Sequence, residues 1–393
     1  MIPRDLSPYA KEAANHFPAV AVTGPRQSGK TTFCKATFPG RAYVSLETPD
    51  ERDFALHDPR GFLARYPDGA ILDEIQRAPD LISYLQGIVD DAPRPGRWIL
   101  TGSQHFLLAR SISQSLAGRL AWLELLPLGW NELQRFPNAP RELDTVLFTG
   151  SYPRIHDRGV PVEDWMREYV ALYVERDVRE LLSVGNLSAF RTFAKQAAGR
   201  SAQILNLASL GADVGVSQPT ARSWLSVLET SYLVFRLAPL VRNLRKRLTK
   251  SPKLHFVDSG LLCHLLDIRS PAQIASHPLR GAIFETWVVS EVMKAQAHRG
   301  QRPSLAFYRD QRTEVDLVIE RPSELVAAEI KSGRTVAPDF LRGLDELERA
   351  YSSAGDATTL RKVVVYGGDV TETRSGARFL AWSDIGAGPW TAA

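Results

Sequence analysis

The sequence is poor in sulfur and carries no long apolar run. Its 393 residues include two cysteines, Cys34 and Cys263, which stand far apart and give neither a disulfide framework nor a zinc-ligand spacing. No apolar stretch reaches the roughly 18 residues that a membrane helix needs, so no membrane partner is expected. The opening stretch MIPRDLSPYAKEAANHF lacks an apolar signal core, and its acids argue against a transit peptide. A cytoplasmic location is the resulting expectation. An excess of charge of one sign is lacking as well. The net charge is +4, so the placing of the basic residues matters more than their total.

What is present suffices for packed cores. Apolar residues make up 44% of the chain and charged residues 23%, the balance of a globular protein. The length points to two or three domains. FPAVAVTG (17–24) is a short Val-rich run that reads as a buried parallel strand. It leads into GPRQSGKTT (24–32) and then a helix-like segment. Strand, glycine loop, helix is the context of a phosphate-binding loop. The backbone N–H groups of Gly24, Pro25, Arg26, Gln27, Ser28, Gly29, Lys30, Thr31 and Thr32, proline excepted, can turn inward around phosphates. The helix N-terminus adds partial positive charge. Lys30 is expected on the β- and γ-phosphates, and the Thr31 hydroxyl on Mg²⁺. Arg26 either touches phosphate or braces the loop.

GAILDEIQ (69–76) reads as a second buried strand, ending in Asp73 and Glu74. With the loop upstream, Asp73 is expected to hold Mg²⁺ and Glu74 to polarise the attacking water. RWILTGSQ (97–104) reads as a third strand with small polar residues at its end. Ser103 there is a candidate γ-phosphate sensor, against a plain Gly-Ser turn. Arg119, in SLAGRLAWLELLPL (115–128), has two readings. One is an arginine finger that stabilises phosphoryl charge. The other is a surface ion pair.

These motifs, together with YVSLETPDERDFALHDPRGFL and SLAGRLAWLELLPLGWNEL, resemble in order the bacterial and archaeal AAA-superfamily ATPases that carry a C-terminal region of unassigned function. The likeness runs along nearly the whole chain. It implies ATP rather than GTP as the nucleotide. It also implies a homo-oligomer, a ring as in such families, whose sites are completed by a neighbour. Arg119 is matched only through SLAGR.

FTGSYPRIHD (148–157) is rich in turn formers and reads as a domain joint. EDWMREYVALYVERDVRELLSVG (163–185) shows helical spacing with a solvated charged face. Residues 206–237 read as a helix, a turn and a second helix capped by Ser217, with Pro219 in its first turn. Two flanking strand-like runs make this a winged-helix pattern. Between them, from Arg236 to Lys253, lie seven basic residues and no acid. Arg242, Arg245, Lys246, Arg247, Lys250 and Lys253 are the candidate contacts to DNA phosphates, against a solvated hairpin or a protein-binding one. Gln218, Thr220, Arg222 and Ser223 on the second helix either read bases or face water.

In the last third, residues 277–300 read as a long helix, 305–320 as a hairpin, and 324–333 and 361–368 as strands. Asp316 interrupts an apolar strand, and Glu329 and Lys331 share one face of the next. Burying a charge without a partner is costly, so these residues need a reason. A helix Glu (Glu285, with Glu291 as the alternative), a strand Asp and a Glu-x-Lys resemble the PD-(D/E)xK nuclease superfamily, its restriction-endonuclease-like and Holliday-junction-resolvase-like members above all. That resemblance implies Mg²⁺ on Asp316 and Glu329, with Glu285 as a further ligand and Lys331 steadying the attacking water.

The expected fold is α/β: a P-loop AAA-type ATPase core over residues 1–145, a helical and winged-helix region over 146–275, and a C-terminal α/β restriction-endonuclease-like domain over 276–393. The expected function is an ATP-hydrolysing protein acting on DNA, with a Mg²⁺-dependent nuclease-like domain. A regulatory ATPase switch that binds protein or operator DNA, with an inert nuclease-like domain, is the alternative. A chaperone-like remodeller of protein is the third reading.

Overall fold

Alternation along β1 (Ala19–Thr23) divides the N-terminal core into two layers. Ala19 and Ala21 pack with Leu72, Leu85, Trp98 and Leu100. Val20 and Val22 pack with Phe33, Ile71 and Ile99 on the other face. Successive strand residues face opposite ways, so a strand buried at every position must be covered on both sides. The computed structural model describes residues 2–103, 116–174, 187–240, 251–310, 313–353 and 358–391. These form two compact units.

The first unit comprises Met1–Leu128 with Thr230–Tyr232 and Ala297–Gln301. Its sheet is parallel, in the order β2 (Ala42–Ser45), β3 (Ala70–Asp73), β4 (Trp98–Gly102), β1, β5 (Leu120–Glu124). β4 therefore lies between the strand that feeds the glycine loop and the strand that ends in Asp73. That order brings the C-terminal ends of all three strands to one edge, where open α/β sheets bind ligands. β2 and β5 are strands that sequence reasoning had not assigned. Both are short and only partly buried, so their apolar signal is weak.

The second unit comprises Gly129–Glu229, Leu233–Gln296 and Arg302–Ala393. It is organised on one nine-stranded mixed sheet, in the order β13-β14-β12-β11-β10-β9-β7-β8-β6. The strands are β6 (Gln203–Ile204), β7 (Val234–Pro239), β8 (Lys253–Phe256), β9 (Ala306–Arg309), β10 (Glu314–Glu320), β11 (Glu324–Lys331), β12 (Thr359–Tyr366), β13 (Glu372–Arg374) and β14 (Ala377–Ala381). The expected helix-turn-helix elements are present as Leu207–Val214 and Gln218–Thr230, with Gly215 left-handed at the turn. The strands that follow them, β7 and β8, are an antiparallel pair. They are not a free wing, however, because β7 also pairs in parallel with β9. The sheet thus runs across residue 275, where the sequence suggested a boundary. The pairing that joins the halves, Ala238 with Ala306, links residues far apart in the chain and leaves no local signal.

The helix Arg280–Ala297 is buried on most sides through Ile283, Phe284, Trp287, Val288, Val289 and Val292. Each such side chain contributes roughly 1.5–3 kcal/mol by leaving water. The amphipathic helix Arg342–Ser353 covers the sheet with Leu344 and Leu347, against Val318, Ala327 and Val364. The long helix expected over 163–185 begins as Val162–Tyr169 and continues as a π-helical turn, Val170–Val174; the rest of that expectation lies outside the described residues. Among the described residues no helix is long and apolar enough to cross a membrane.

Candidate active site

The glycine loop leaves β1 under a steric constraint. Gly24 has φ +146°, and a Cβ there would stand 2.2 Å from the Leu125 carbonyl oxygen. Only glycine lets the loop pass that close to the chain beyond β5. Gln27 and Gly29 are left-handed, at φ 62° and 91°, and the helix Lys30–Thr37 follows. Lys30 is buried, and its Nζ donates to the carbonyls of Gly24 (3.0 Å) and Pro25 (2.9 Å) inside the loop. Burial lowers its pKa, against the attraction of Glu74. The Ser28 hydroxyl is buried with no hydrogen-bond partner among the described residues. Arg26, Gln27 and Thr31 are half-buried and Thr32 is exposed. Arg4, which sequence reasoning missed, braces the loop by donating to the carbonyls of Ser28 (2.9 Å) and Leu126 (2.8 Å).

The end of β3 meets this loop. The Thr31 hydroxyl lies within 3.1 and 3.0 Å of the two Asp73 carboxylate oxygens. Asp73 also accepts from the Tyr43 hydroxyl at 2.8 Å and from the Thr101 hydroxyl. Burial, then the bond to Asp73, pushes the Tyr43 pKa up to about 12, so the phenol stays protonated and donates. Glu74 is left-handed at φ 57°, and its N–H donates to Thr101 Oγ1 at 3.2 Å. Its carboxylate Oε2 accepts from Ser103 Oγ at 3.1 Å and from the Gln76 amide. The structure therefore brings Lys30, Thr31, Asp73, Glu74 and Ser103 to one edge. Tyr43, Thr101 and Gln76 are additions. The order of strands explains them: β2 and β4 flank β3, a placement not legible from any local motif.

The donor set fits a nucleotide with Mg²⁺. A hydroxyl and one carboxylate are hard oxygen ligands of the kind Mg²⁺ takes beside phosphates. The unpartnered Ser28 hydroxyl and the inward lysine suit phosphate oxygens. Cys34 lies buried beneath, its thiol pKa pushed up by burial, and takes no part. Arg119 is tied to Asp90 of its own unit, through Nε to Oδ1 and through Nη2 to Oδ2 at 3.1 Å. It is partly exposed, and its geometry is that of an ion pair.

In the second unit, Glu285, Asp316, Glu329 and Lys331 do gather. Asp316 Oδ2 accepts from the Ile330 N–H at 2.9 Å, between Glu329 and Lys331. Lys331 Nζ stands 2.5 Å from Glu329 Oε1, while Glu329 Oε2 is buried without a hydrogen-bond partner among the described residues. Sequence reasoning missed what binds the group together. Lys253, from β8, places its Nζ 2.8 Å from Glu285, 2.6 Å from Glu314 and 3.6 Å from Asp316. This corrects the expectation for Lys253. It is 2% exposed and cannot contact a phosphate backbone from the surface. Arg242, Arg245, Lys246, Arg247 and Lys250 lie outside the described residues.

Burial, then the neighbouring Asp316, raises Glu285 to about 8 and Glu329 to about 7. Burial alone would lower Lys253; Glu285, Asp316 and Glu314 outweigh it and raise it. Glu291, the alternative to Glu285, is elsewhere: it accepts from the Trp130 N–H at 2.6 Å and pairs with Lys294 at 2.8 Å. Among the described residues no group of three or more His, Cys, Asp or Glu side chains has metal-holding geometry. The C-terminal donors therefore do not fit the Mg²⁺ that the nuclease resemblance implied, because an ammonium already stands among them.

Comparison with known proteins agrees with the N-terminal geometry. Residues 16–134 match the family model of an AAA domain. Residues 140–272 and 280–384 match two domains of unknown function, DUF8612 and DUF4143. The uncharacterized proteins Rv2008c of Mycobacterium tuberculosis and Mb2031c of Mycobacterium bovis are each 28% identical over 369 residues, which is 93% of this chain and 80% of theirs. Among solved structures, the Walker-type ATPase PABY2304 of Pyrococcus abyssi aligns with a TM-score of 0.45 at 13% identity, over 66% of this chain and 94% of that one. The RuvB Holliday junction branch migration motor of Thermotoga maritima aligns with a TM-score of 0.29 at 18% identity, over 59% and 87%. By its family match and its loop geometry, the N-terminal part of this chain is an AAA-type P-loop ATPase domain.

Proposed function

We propose that this protein hydrolyses ATP with Mg²⁺ and uses the turnover to change its hold on DNA. The observation that carries the hydrolytic reading is the Thr31–Asp73 contact, with Glu74 held beside it by Ser103 and Gln76. The chemistry that Mg²⁺ would supply when held there is positive charge against that of the phosphates. Thr31 and Asp73 would hold it. Lys30 turns from the Gly24 and Pro25 carbonyls to the β- and γ-phosphates. Glu74 orients the attacking water, and Ser103 fixes the Glu74 carboxylate.

Turnover by wild type, Lys30→Ala and Glu74→Gln tests this directly. Both variants lose hydrolysis, and Glu74→Gln retains nucleotide. Normal turnover in Glu74→Gln would remove the role given to that residue.

Contact with DNA is the finer part of the reading. What supports it is the helix-turn-helix order and the exposed Gln218, Arg222 and Ser223 on its second helix. The basic residues 242–250 would supply phosphate contacts. Affinity that falls steeply with salt is the expected signature; salt-independent or absent binding sinks it. A homo-oligomeric ring in which Arg119 reaches a neighbour's nucleotide belongs to the same proposal.

One observation favours the second reading, a switch whose nuclease-like region binds and does not cut. That observation is Lys253 among the carboxylates. Mg²⁺-dependent DNA cleavage that Asp316→Ala abolishes would reverse the preference.

A further inference from the structure

The acidic cluster of the second unit poses a charge problem. Glu285, Glu314, Asp316 and Glu329 are four carboxylates, and each is largely or partly buried. Like charges so close raise one another's energy unless cations stand among them. Three cations do. Lys331 meets Glu329. Arg309 meets Glu314 Oε2 at 3.2 Å. Lys253 meets Glu285 and Glu314 directly and Asp316 at 3.6 Å.

We infer that Lys253 is the resident cation of this cluster and that its ammonium closes the cluster to a divalent metal. Lys253 Nζ is shared by Glu285 of the helix Arg280–Ala297 and by Glu314 and Asp316 of β10, so it occupies the space between these carboxylates. The hold on it is structural. Lys253 opens β8, whose backbone pairs with β6 at Ile204 and with β7 at Leu237, so its Cα is fixed from both sides. Its side chain is 2% exposed, and the Phe307 ring lies 5.5 Å from Nζ. A metal entering here must expel a buried ammonium and find oxygens at about 2.0–2.1 Å, the distance Mg²⁺ demands. Charge gives it little reason to enter. Among the described residues, four carboxylates facing three cations leave one negative charge.

The cluster is therefore a buried clasp joining β8, β10 and the long helix, and the inference stands apart from the nucleotide-site reading. A nuclease-like Glu, Asp and Glu-x-Lys in sequence becomes, through one lysine supplied by a distant strand, a closed ion-pair group.

The test counts bound Mn²⁺ by electron paramagnetic resonance on the full chain, stripped of metal and free of nucleotide. Wild type and Asp316→Asn should bind the same number of ions. Lys253→Met should bind one more, and Lys253→Met/Asp316→Asn should lose that ion again. A Mn²⁺ held by wild type and lost in Asp316→Asn overturns the inference. So does a folded Lys253→Met that gains no ion. If Lys253→Met fails to fold, the comparison of wild type with Asp316→Asn decides alone.

Discussion

His255 gives the sharpest test of the buried sheet, because its chemistry forces a pH dependence of known sign. It sits on β8, wholly buried, with its ring stacked 5.5 Å from Phe235 and Nδ1 3.2 Å from Thr286 Oγ1. Its Nε2 has no partner among the described residues. Burial, then the nearby Lys253 ammonium, lowers its pKa to about 3. Above the unfolded value of about 6.5 the ring is neutral in both states, and no stability depends on it. Below that value the unfolded chain takes up a proton that the folded chain refuses. Stability is thus lost as pH falls from about 6.5 toward about 3, by about 1.4 kcal/mol per unit. Between pH 6.5 and 4.5 the loss amounts to roughly 2 kcal/mol, because the unfolded ring is already half protonated at pH 6.5.

Other groups titrate in this window, so the quantity to read is a difference. Wild type and His255→Gln are unfolded in urea at several pH values. Glutamine fills part of the space and cannot take the proton. The advantage of wild type over the variant should shrink by that amount between pH 6.5 and 4.5. Parallel pH profiles would refute the reasoning, since they would mean that the folded ring can protonate.

Ser103→Ala removes one of two donors to the Glu74 carboxylate. A hydrogen bond to a charged group contributes roughly 1.5–3 kcal/mol, so kcat should fall between about ten- and a hundredfold with KM for ATP nearly unchanged; an unchanged kcat would sink the positioning role. Gly24→Ala places a methyl group 2.2 Å from the Leu125 carbonyl, and binding of a fluorescent ATP analogue should disappear; normal binding would mean that the loop need not pass there. Arg119→Ala breaks an exposed pair with Asp90, so its effect on stability should stay within about 1 kcal/mol. If Arg119 completes a neighbour's site, mixing Arg119→Ala with Lys30→Ala protein restores part of the turnover that each lacks, and mixed rings without turnover would rule that out.

The geometry around the glycine loop was legible because it is local. Strand, glycine loop and helix follow one another, and Asp73 and Glu74 close a run that can only be a buried strand. What surrounds them was not. Tyr43 and Thr101 reach Asp73 because β2 and β4 flank β3, a fact of sheet order. Arg4 reaches the loop from the N-terminal segment. A sequence gives such residues no mark beyond a polar group beside an apolar run. The second unit followed the same rule on a larger scale. Most of its strands and the helices Leu207–Val214, Gln218–Thr230 and Arg280–Ala297 were visible from period and turn residues. The helices Leu187–Ala198, Ser259–Leu265 and Arg342–Ser353 were not assigned, and the parallel pairing of β7 with β9 was not visible, because neither strand names its partner.

The carboxylates of β10 and β11 show how far a motif can carry an argument. An Asp within an apolar strand and a Glu-x-Lys on the next do require cationic company, and that inference is sound physics. It does not say which cation. A divalent metal and an ammonium both answer the charge, and they differ in what they leave possible. A metal keeps sites open to water and phosphate. An ammonium fills the space and offers only hydrogen bonds. The choice is made by Lys253, 32 residues before Glu285 and at the end of a basic run that pointed outward to DNA. Its basic neighbours in sequence suggested a solvated run, whereas its position at the start of β8 puts it inside.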